Sequence, residues 1–394
     1  MSGCVIVSGA RTPIGKLGGA LSSLSAAKLG ALAIAEALRR ASIAPEQVDF
    51  VAMGEVLQAG QGQNPARQAA TIAGIPMTVQ ATTINKVCLS GLESIHLADL
   101  LISAGEADIV VSGGMESMSR APYLLDGARR GLGFGDSALK DAVVCDGLTD
   151  AFSGAVMGAA TDRDAAAMFI NRESQDAVAL RSHQRATMAS KEGRFSDEII
   201  PVVIPQRRGE DLLVTDDEGV RADASIAGLA ALGPVFGAEG TITAGNASQI
   251  SDGAAALVVM SRRAAERLGC PPLAEIVSFG HAAGPGTSLL VQPSRAIADA
   301  LRRAHLVTRD LDVIEVNEAF AAVAVASAAD LGIPVEELNP NGGAIALGHP
   351  IGMSGARLPL ALALELRLRG GGTGVAALCG GGGLGDAIVL RAVS

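Results

Sequence analysis

Cys88, Asn317, His349 and Cys379 are the side chains of this sequence whose types and settings suit nucleophilic and acid–base chemistry. Cys88 stands in TTINKVCLSGLESIHLADLLISAG, where Leu92, Ile95, Ala98, Leu101 and Ile102 recur at helical spacing and place the thiol just ahead of a helix's first turn. Unpaired N–H groups and the positive end of the helix dipole favour a thiolate there, and hence a nucleophile. Residue type alone favours a buried structural thiol instead, and the flanking Gly91 and the loop position shift the reading toward the nucleophile. Of the five histidines, His96, His183 and His305 read as core or solvated residues, and His281 in FGHAAGPG is open. His349 differs, because NPNGGAIALGHPIGMSGAR surrounds one imidazole with glycines that leave backbone room for a ligand. A nucleophilic cysteine needs a base of this kind.

Asn317 follows the apolar run DVIEV and precedes AFAAVAVA, so its amide reads either as orienting a water or carbonyl, or as a helix N-cap. Cys379 closes GVAAL and opens CGGGG, where a thiol serves as proton donor and acceptor or as a small buried hydrophobe. Gly380, Gly382 and Gly385 fit the G-x-G-x-x-G spacing of dinucleotide loops. That fingerprint works through a following helix, whereas Asp386 to Leu390 reads as a strand, so nucleotide binding is not supported. The five cysteines, Cys4, Cys88, Cys145, Cys270 and Cys379, are scattered and contain no C-x-x-C, which indicates neither a disulfide framework nor a zinc site.

The elements that must position these residues occur twice. AIAEALRRASIAPEQVDFVAMGE (33 to 55) and AIADALRRAHLVTRDLDVIEVNE (296 to 318) agree at eight of their first nine positions, at an offset of 263 (296 − 33). Each predicts an amphipathic helix, an acidic turn and an apolar strand ending at Glu55 or Glu318. Ser90-Gly91 and Ser354-Gly355 repeat at nearly the same offset, and SDGAAALVVMS (251 to 261) echoes GLGDAIVLRAVS (383 to 394). The alternation predicts two α/β copies, each with a mostly parallel sheet, packed face to face. Between them, residues 119–248 carry charge runs such as PQRRGED and TDDEGVR, and read as an inserted loop domain. The expected division is 1–118 plus 249–270, 119–248, and 271–394.

Composition narrows the function classes. With 49% hydrophobic residues, 2% aromatic, 49 glycines and no tryptophan, the interior is expected to pack small side chains closely. A net charge of −10 argues against nucleic-acid binding. The longest apolar stretch, 319 to 329, is far shorter than the roughly 20 residues of a membrane helix, and the start shows no signal-peptide pattern. A soluble, cytoplasmic protein without membrane contact is expected.

NKVCLSGLESI, EVNEAFA, NPNGGAIALGHPIGMSGAR and ALCGGGGLGDA, in this order and spacing, resemble the signature blocks of the thiolases, with GARTPIGK and TAGNASQISDGAAA extending the likeness along the whole chain. The resemblance implies a duplicated fold of two βαβαβαββ halves forming a five-layered αβαβα core. It is strongest to the short-chain biosynthetic branch and implies Claisen chemistry. Cys88, activated by His349, would take an acyl group from one acyl-CoA. Cys379 would deprotonate a second acetyl-CoA, whose carbanion attacks the acyl-cysteine. By the same resemblance His349 and a water held by Asn317 would stabilise one oxyanion, and the N–H groups of Cys88 and Gly381 the other. Coenzyme A would lie against Leu148, Met157, Arg221, Phe236, Ala244 and Ser248, with Ala319 and Phe320 near the pantetheine and acyl end.

Arg221 reads equally as a solvated charge, and Arg207-Arg208 is a weaker phosphate candidate. CoA thioesters enter as substrates, and no metal or redox cofactor is implied. A homotetramer, built as a dimer of dimers through residues 121–141, is also implied. Two positions depart from the short-chain pattern: Val156 replaces a histidine beside the pocket, and Gly228 a serine that contacts CoA. A more apolar wall makes a longer or branched acyl group the alternative substrate. A decarboxylating condensing enzyme and a non-catalytic CoA-binding protein are weaker alternatives, the former because it needs no cysteine base.

Overall fold

A computed structural model describes residues 3–392; the outermost limits expected for the two halves, 1 and 394, lie outside them. The first half runs β1 (Cys4–Arg11), α1 (Ala26–Ala41), β2 (Phe50–Gly54), α2 (Pro65–Ile72), β3 (Gln80–Ile84), α3 (Ser90–Ser103) and β4 (Ile109–Ser117). An excursion holding α4 (Met157–Ala167) and α5 (Arg172–Lys191) separates these from the closing strand β5 (Ser251–Ser261). The second half runs β6 (Ala274–Ala283), α6 (Gln292–Ala304), β7 (Val313–Val316), α7 (Ala321–Leu331), α8 (Ile351–Leu368), β8 (Gly372–Gly380) and β9 (Leu384–Ala392).

The sequence repeat is a structural repeat down to its caps. Helix α1 ends at Ser42 and α6 at His305, 263 residues later (305 − 42); both caps are left-handed, at φ 55° and 56°. Each cap N–H bonds back to the carbonyl three residues earlier, and paired arginines in each last turn suit the negative helix end.

Two expectations are corrected. The half-sheets are mixed, not mostly parallel: β2 pairs with β3 and β4 in parallel, and β7 with β8, but β1–β5, β5–β4, β6–β9 and β9–β8 are antiparallel. The reason is visible at β8 and β9, whose connection spans only residues 381–383, whereas a parallel crossover needs a dozen or so. The second half also lacks a counterpart of β3 among the described residues. A single parallel bridge, Ile314 to Leu338, stands in its place.

The half-sheets face each other across a layer made by α3 and α8, which touch both. Outside them lie α1 and α2 on one face, and α6 and α7 on the other, completing five layers. The sheets also meet edge to edge, where Val5 and Ile6 of β1 pair with Glu275 and Ala274 of β6. The repeated Ser-Gly pairs explain the thin central layer. A Cβ on Gly91 would lie 2.7 Å from the Ala356 nitrogen, and one on Gly355 2.3 Å from the Leu92 nitrogen. Helices α3 and α8 therefore cross in backbone contact, which only glycine permits. Leu89, Leu92, Ile95, Met353, Leu358 and Leu378 fill the core around this crossing.

In residues 119–248, Tyr123–Leu124 and Lys140–Asp141 form a short hairpin whose arm exposes Leu132, Phe134 and Leu139. No described helix is long and apolar enough to cross a membrane.

Candidate active site

Cys88 sits in the turn between β3 and α3, and is buried. The turn is closed by Ser90, whose hydroxyl donates to the Val87 carbonyl at 2.5 Å and accepts from the Lys86 N–H at 2.8 Å. It also forces Val87 into the left-handed region at φ 52°, an unusual conformation for a β-branched residue and a mark of a constrained functional turn. The N–H groups of Cys88 itself and of Gly381 are directed at the Cys88 sulfur. Burial outweighs them and pushes the thiol up to about 12. The expectation of a resting thiolate at the helix terminus is therefore corrected: the site dehydrates the sulfur more than the terminus stabilises its charge.

Gly381 begins the three-residue loop that joins β8 to β9, with Gly382 and Gly383 at φ 80° and 71°. This is a tight hairpin, followed by strand Leu384–Ala392, and so not a nucleotide loop. A Cβ on Gly381 would lie 3.2 Å from Val87 Cγ1 and 3.6 Å from Met157 Cε, so the bare backbone lets the hairpin approach Cys88. Cys379 lies one residue inside the hairpin, paired with Gly385 and buried. Burial raises its thiol far above the ordinary range, and the nearby Cys88 raises it further. The two sulfurs, 291 residues apart in sequence (379 − 88), thus share one site.

His349 precedes α8. Its Nδ1 lies 2.6 Å from Ser354 Oγ, and that hydroxyl lies 3.0 Å from the Pro350 carbonyl. A hydroxyl has one proton; donated to Pro350, it leaves Ser354 as acceptor for Nδ1–H and Nε2 with its lone pair free. Burial, aided by the charge of Arg357, lowers the imidazole to about 3, so His349 is neutral and able to receive a proton. Asn317 Nδ2 lies 3.4 Å from Nε2. Asn317 is fixed at the end of β7 by its N–H to the Ala377 carbonyl, and its Oδ1 is buried without a protein partner among the described residues. The N-cap of α7 is Phe320, so the capping alternative for Asn317 is excluded.

A cavity of about 430 Å³ opens beside this cluster. Leu148, Met157, Phe236, Ala244, Ser248, Phe320 and His349 line it, joined by Met118, Val156, Gln249 and Ile351. Ala319 lies beneath, its carbonyl accepting the Ser248 N–H at 3.0 Å. Arg221 stands apart, exposed in an adjoining polar recess with His183, Ser225 and Gly228; Ala244 and Gln249 line both. The apolar slot with a polar mouth matches a ligand with a thin arm and a charged head. Among the described residues no group of three or more His, Cys, Asp or Glu side chains is placed to hold a metal ion.

Residues 4–263 match the family model for the thiolase N-terminal domain, and residues 270–392 that for the C-terminal domain. The chain belongs to the thiolase family. A protein of Mycobacterium leprae named "Probable acetyl-CoA acetyltransferase" is 56% identical over the full length of both chains. An "Acetyl-CoA acetyltransferase" of Chromobacterium violaceum is 49% identical over 98% of each. The crystal structure of the Bacillus anthracis acetyl-CoA acetyltransferase superposes with a TM-score of 0.97 at 39% identity, covering 100% of this chain and 99% of that one. The thiolase fold is thus shared throughout.

Sequence reasoning missed Ser354 and Met118 as parts of this thiolase site. Ser354 was visible as half of the repeated Ser-Gly pair, but its bond to His349 depends on a helical turn that spacing alone does not fix. Met118 carried no signal of its own.

Proposed function

We propose that this chain is an acetyl-CoA C-acetyltransferase that joins two acetyl-CoA into acetoacetyl-CoA and CoA, and runs thiolysis in reverse. The observation that carries the reading is the meeting of Cys88, Cys379 and the Gly381 N–H in one buried site beside an apolar cavity walled by His349. The relatives' shared name supports the acetyl group. In the first step His349 Nε2 takes the Cys88 proton as sulfur attacks the thioester carbonyl; CoA leaves as a thiol with the proton of Cys379, and Cys88 holds the acetyl group. In the second step the Cys379 thiolate so formed removes an α-proton from a second acetyl-CoA, and the resulting carbanion displaces Cys88 from the acyl carbonyl; Cys88 then recovers its proton from His349. The N–H groups of Cys88 and Gly381 serve the oxyanion on the acyl group, and the protonated His349, with a water held by Asn317, serves the enolate of the second substrate.

Leu148, Met157, Phe236, Ala244 and Ser248 on the inserted segment 119–248 are assigned to CoA, with Arg221 of that segment at its nucleotide end near the adenine, and Ala319 and Phe320 of the C-terminal half to the pantetheine and acyl end. No resident cofactor is assigned. The exposed arm of residues 121–141 is assigned to the contacts of a tetramer, and the protein to the cytoplasm. One observation favours a second reading. Met118, Val156, Met157 and Ile351 make the cavity wall apolar, which suits a longer or branched acyl chain.

Steady-state thiolysis of 3-ketoacyl-CoAs of increasing length and branching separates the two. The first reading expects kcat/KM to be highest for acetoacetyl-CoA; a maximum at a longer chain would transfer the assignment to the second.

A further inference from the structure

Glu55 directly follows β2 and Glu116 lies on β4, and both side chains are fully buried. Neither carboxyl oxygen of Glu55 has a hydrogen-bond partner among the described residues. Glu116 is the reverse case. Its Oε2 accepts the N–H groups of Val56 and Gly352, both at 3.0 Å, and its Oε1 that of Leu57 at 3.1 Å. Val56 and Leu57 pack with Cys88, Met118 and Ile351 in one apolar cluster. Gly352 lies in the first turn of α8, between His349 and the Ser354 that holds its Nδ1. A single carboxylate therefore ties the shelf beside Cys88 to the turn that aims His349.

We propose that Glu116 is a positioning residue for the Cys88–His349 pair, and that Glu55 beside it must stay uncharged for Glu116 to keep this grip. The proposal rests on the acyl-transfer reading of Cys88. Three N–H donors make one carboxylate tolerable in the interior, whereas a second carboxylate with none is not. Burial raises Glu55 to about 9, and the charge of Glu116 contributes to the shift. Burial also raises Glu116, to about 7, against the pull of its three N–H donors, so it becomes the carboxylate of the couple as pH rises through neutrality while Glu55 keeps its proton. The other groups that face the couple are Asp252 on β5, which raises Glu116 further, and Cys88, which feels the charge of Glu116; Arg357 on α8 acts on His349. Near neutral pH Glu55 then carries its proton, and glutamine reproduces that state in shape and charge.

The sign of the pH effect follows from proton binding. Between the ordinary carboxylate range and about 9, the folded chain holds a proton on Glu55 that the unfolded chain has released, and up to about 7 one on Glu116 too, so the slope above 7 reports Glu55. Wild-type stability therefore falls as pH rises through that window, and the fall ends above the folded value.

The test compares the full-length wild type with Glu55→Gln and Glu116→Gln by thermal unfolding and by acetoacetyl-CoA thiolysis across that pH window. Glu55→Gln is expected to unfold at a higher Tm than the wild type, by a margin that widens with pH, and to retain kcat further into the alkaline limb. Glu116→Gln is expected to lose about tenfold or more in kcat, with KM changed by less than about twofold. Matching Tm slopes and alkaline limbs in the wild type and Glu55→Gln would overturn the role of Glu55. A wild-type kcat in Glu116→Gln, or a loss confined to KM, would overturn the positioning role. If the wild type itself showed no thiolysis, the acyl-transfer reading would fall, and with it the role of Glu116; the unfolding slopes would still report whether Glu55 is held protonated.

Discussion

Burial holds Cys88 as a thiol and His349 as a neutral imidazole, so neither is charged before substrate arrives. Charge then appears only as sulfur attacks and Nε2 accepts the proton, where N–H donors already point at the site. The two thiols divide the chemistry. Cys379→Ser is expected to leave acetyl transfer to Cys88 measurable by CoA release, while condensation falls by about 10²–10⁴-fold, the usual contribution of a positioned acid or base. Normal condensation by this variant would remove Cys379 from the mechanism. The candidates were legible because the sequence contains few cysteines and histidines and sets these in loops next to clear periodic elements, whereas their proposed roles came from the family resemblance. The protonation states were not legible, since the neighbours that dehydrate Cys88, such as Leu57, Met118 and Ile351, lie far from it in sequence.

Among the elements, the β8–β9 hairpin and the turn before α3 act as one unit, because Gly381 packs against Val87. Gly381→Ala is expected to fold, since no positive φ opposes it and the 3.2 Å approach of its Cβ to Val87 Cγ1 asks for a shift of only a few tenths of an ångström. It should still lower kcat by about 10²-fold by displacing an oxyanion donor. Circular dichroism and steady-state kinetics check this together, and an unchanged kcat would deny the N–H its role. The helix–strand alternation was readable from periodicity, and the βαβαβαββ order of the first half only through the family resemblance. Strand direction was not, because a strand's apolar pattern is the same whichever way its neighbour runs, and only the length of the β8–β9 loop decides it. The repeat likewise marked both Ser-Gly pairs without showing that Gly91 and Gly355 meet.

Across the whole molecule, a protein of net charge −10 must accept the phosphates of CoA at a local site. The recess around Arg221, lined also by Asp223, adjoins the apolar cavity and is where the nucleotide end of CoA is proposed to lie. Arg221→Ala is expected to raise KM for CoA substrates severalfold, with kcat nearly unchanged, and to leave KM for a pantetheine thioester without the nucleotide unaffected. Equal effects on both would place the phosphates elsewhere. Duplication itself was readable from an offset of 263 residues, but the edge pairing of β1 with β6 that merges the two sheets was not, since only two residue pairs make it.

The central claim, that Cys88 carries the acyl group, is tested most directly by mass spectrometry of peptides from Cys379→Ser after incubation with acetyl-CoA. The account predicts one acetyl group on the peptide containing Cys88 and none when Cys88→Ala is added. Acetyl on another residue, or no adduct while CoA is still released, would contradict it.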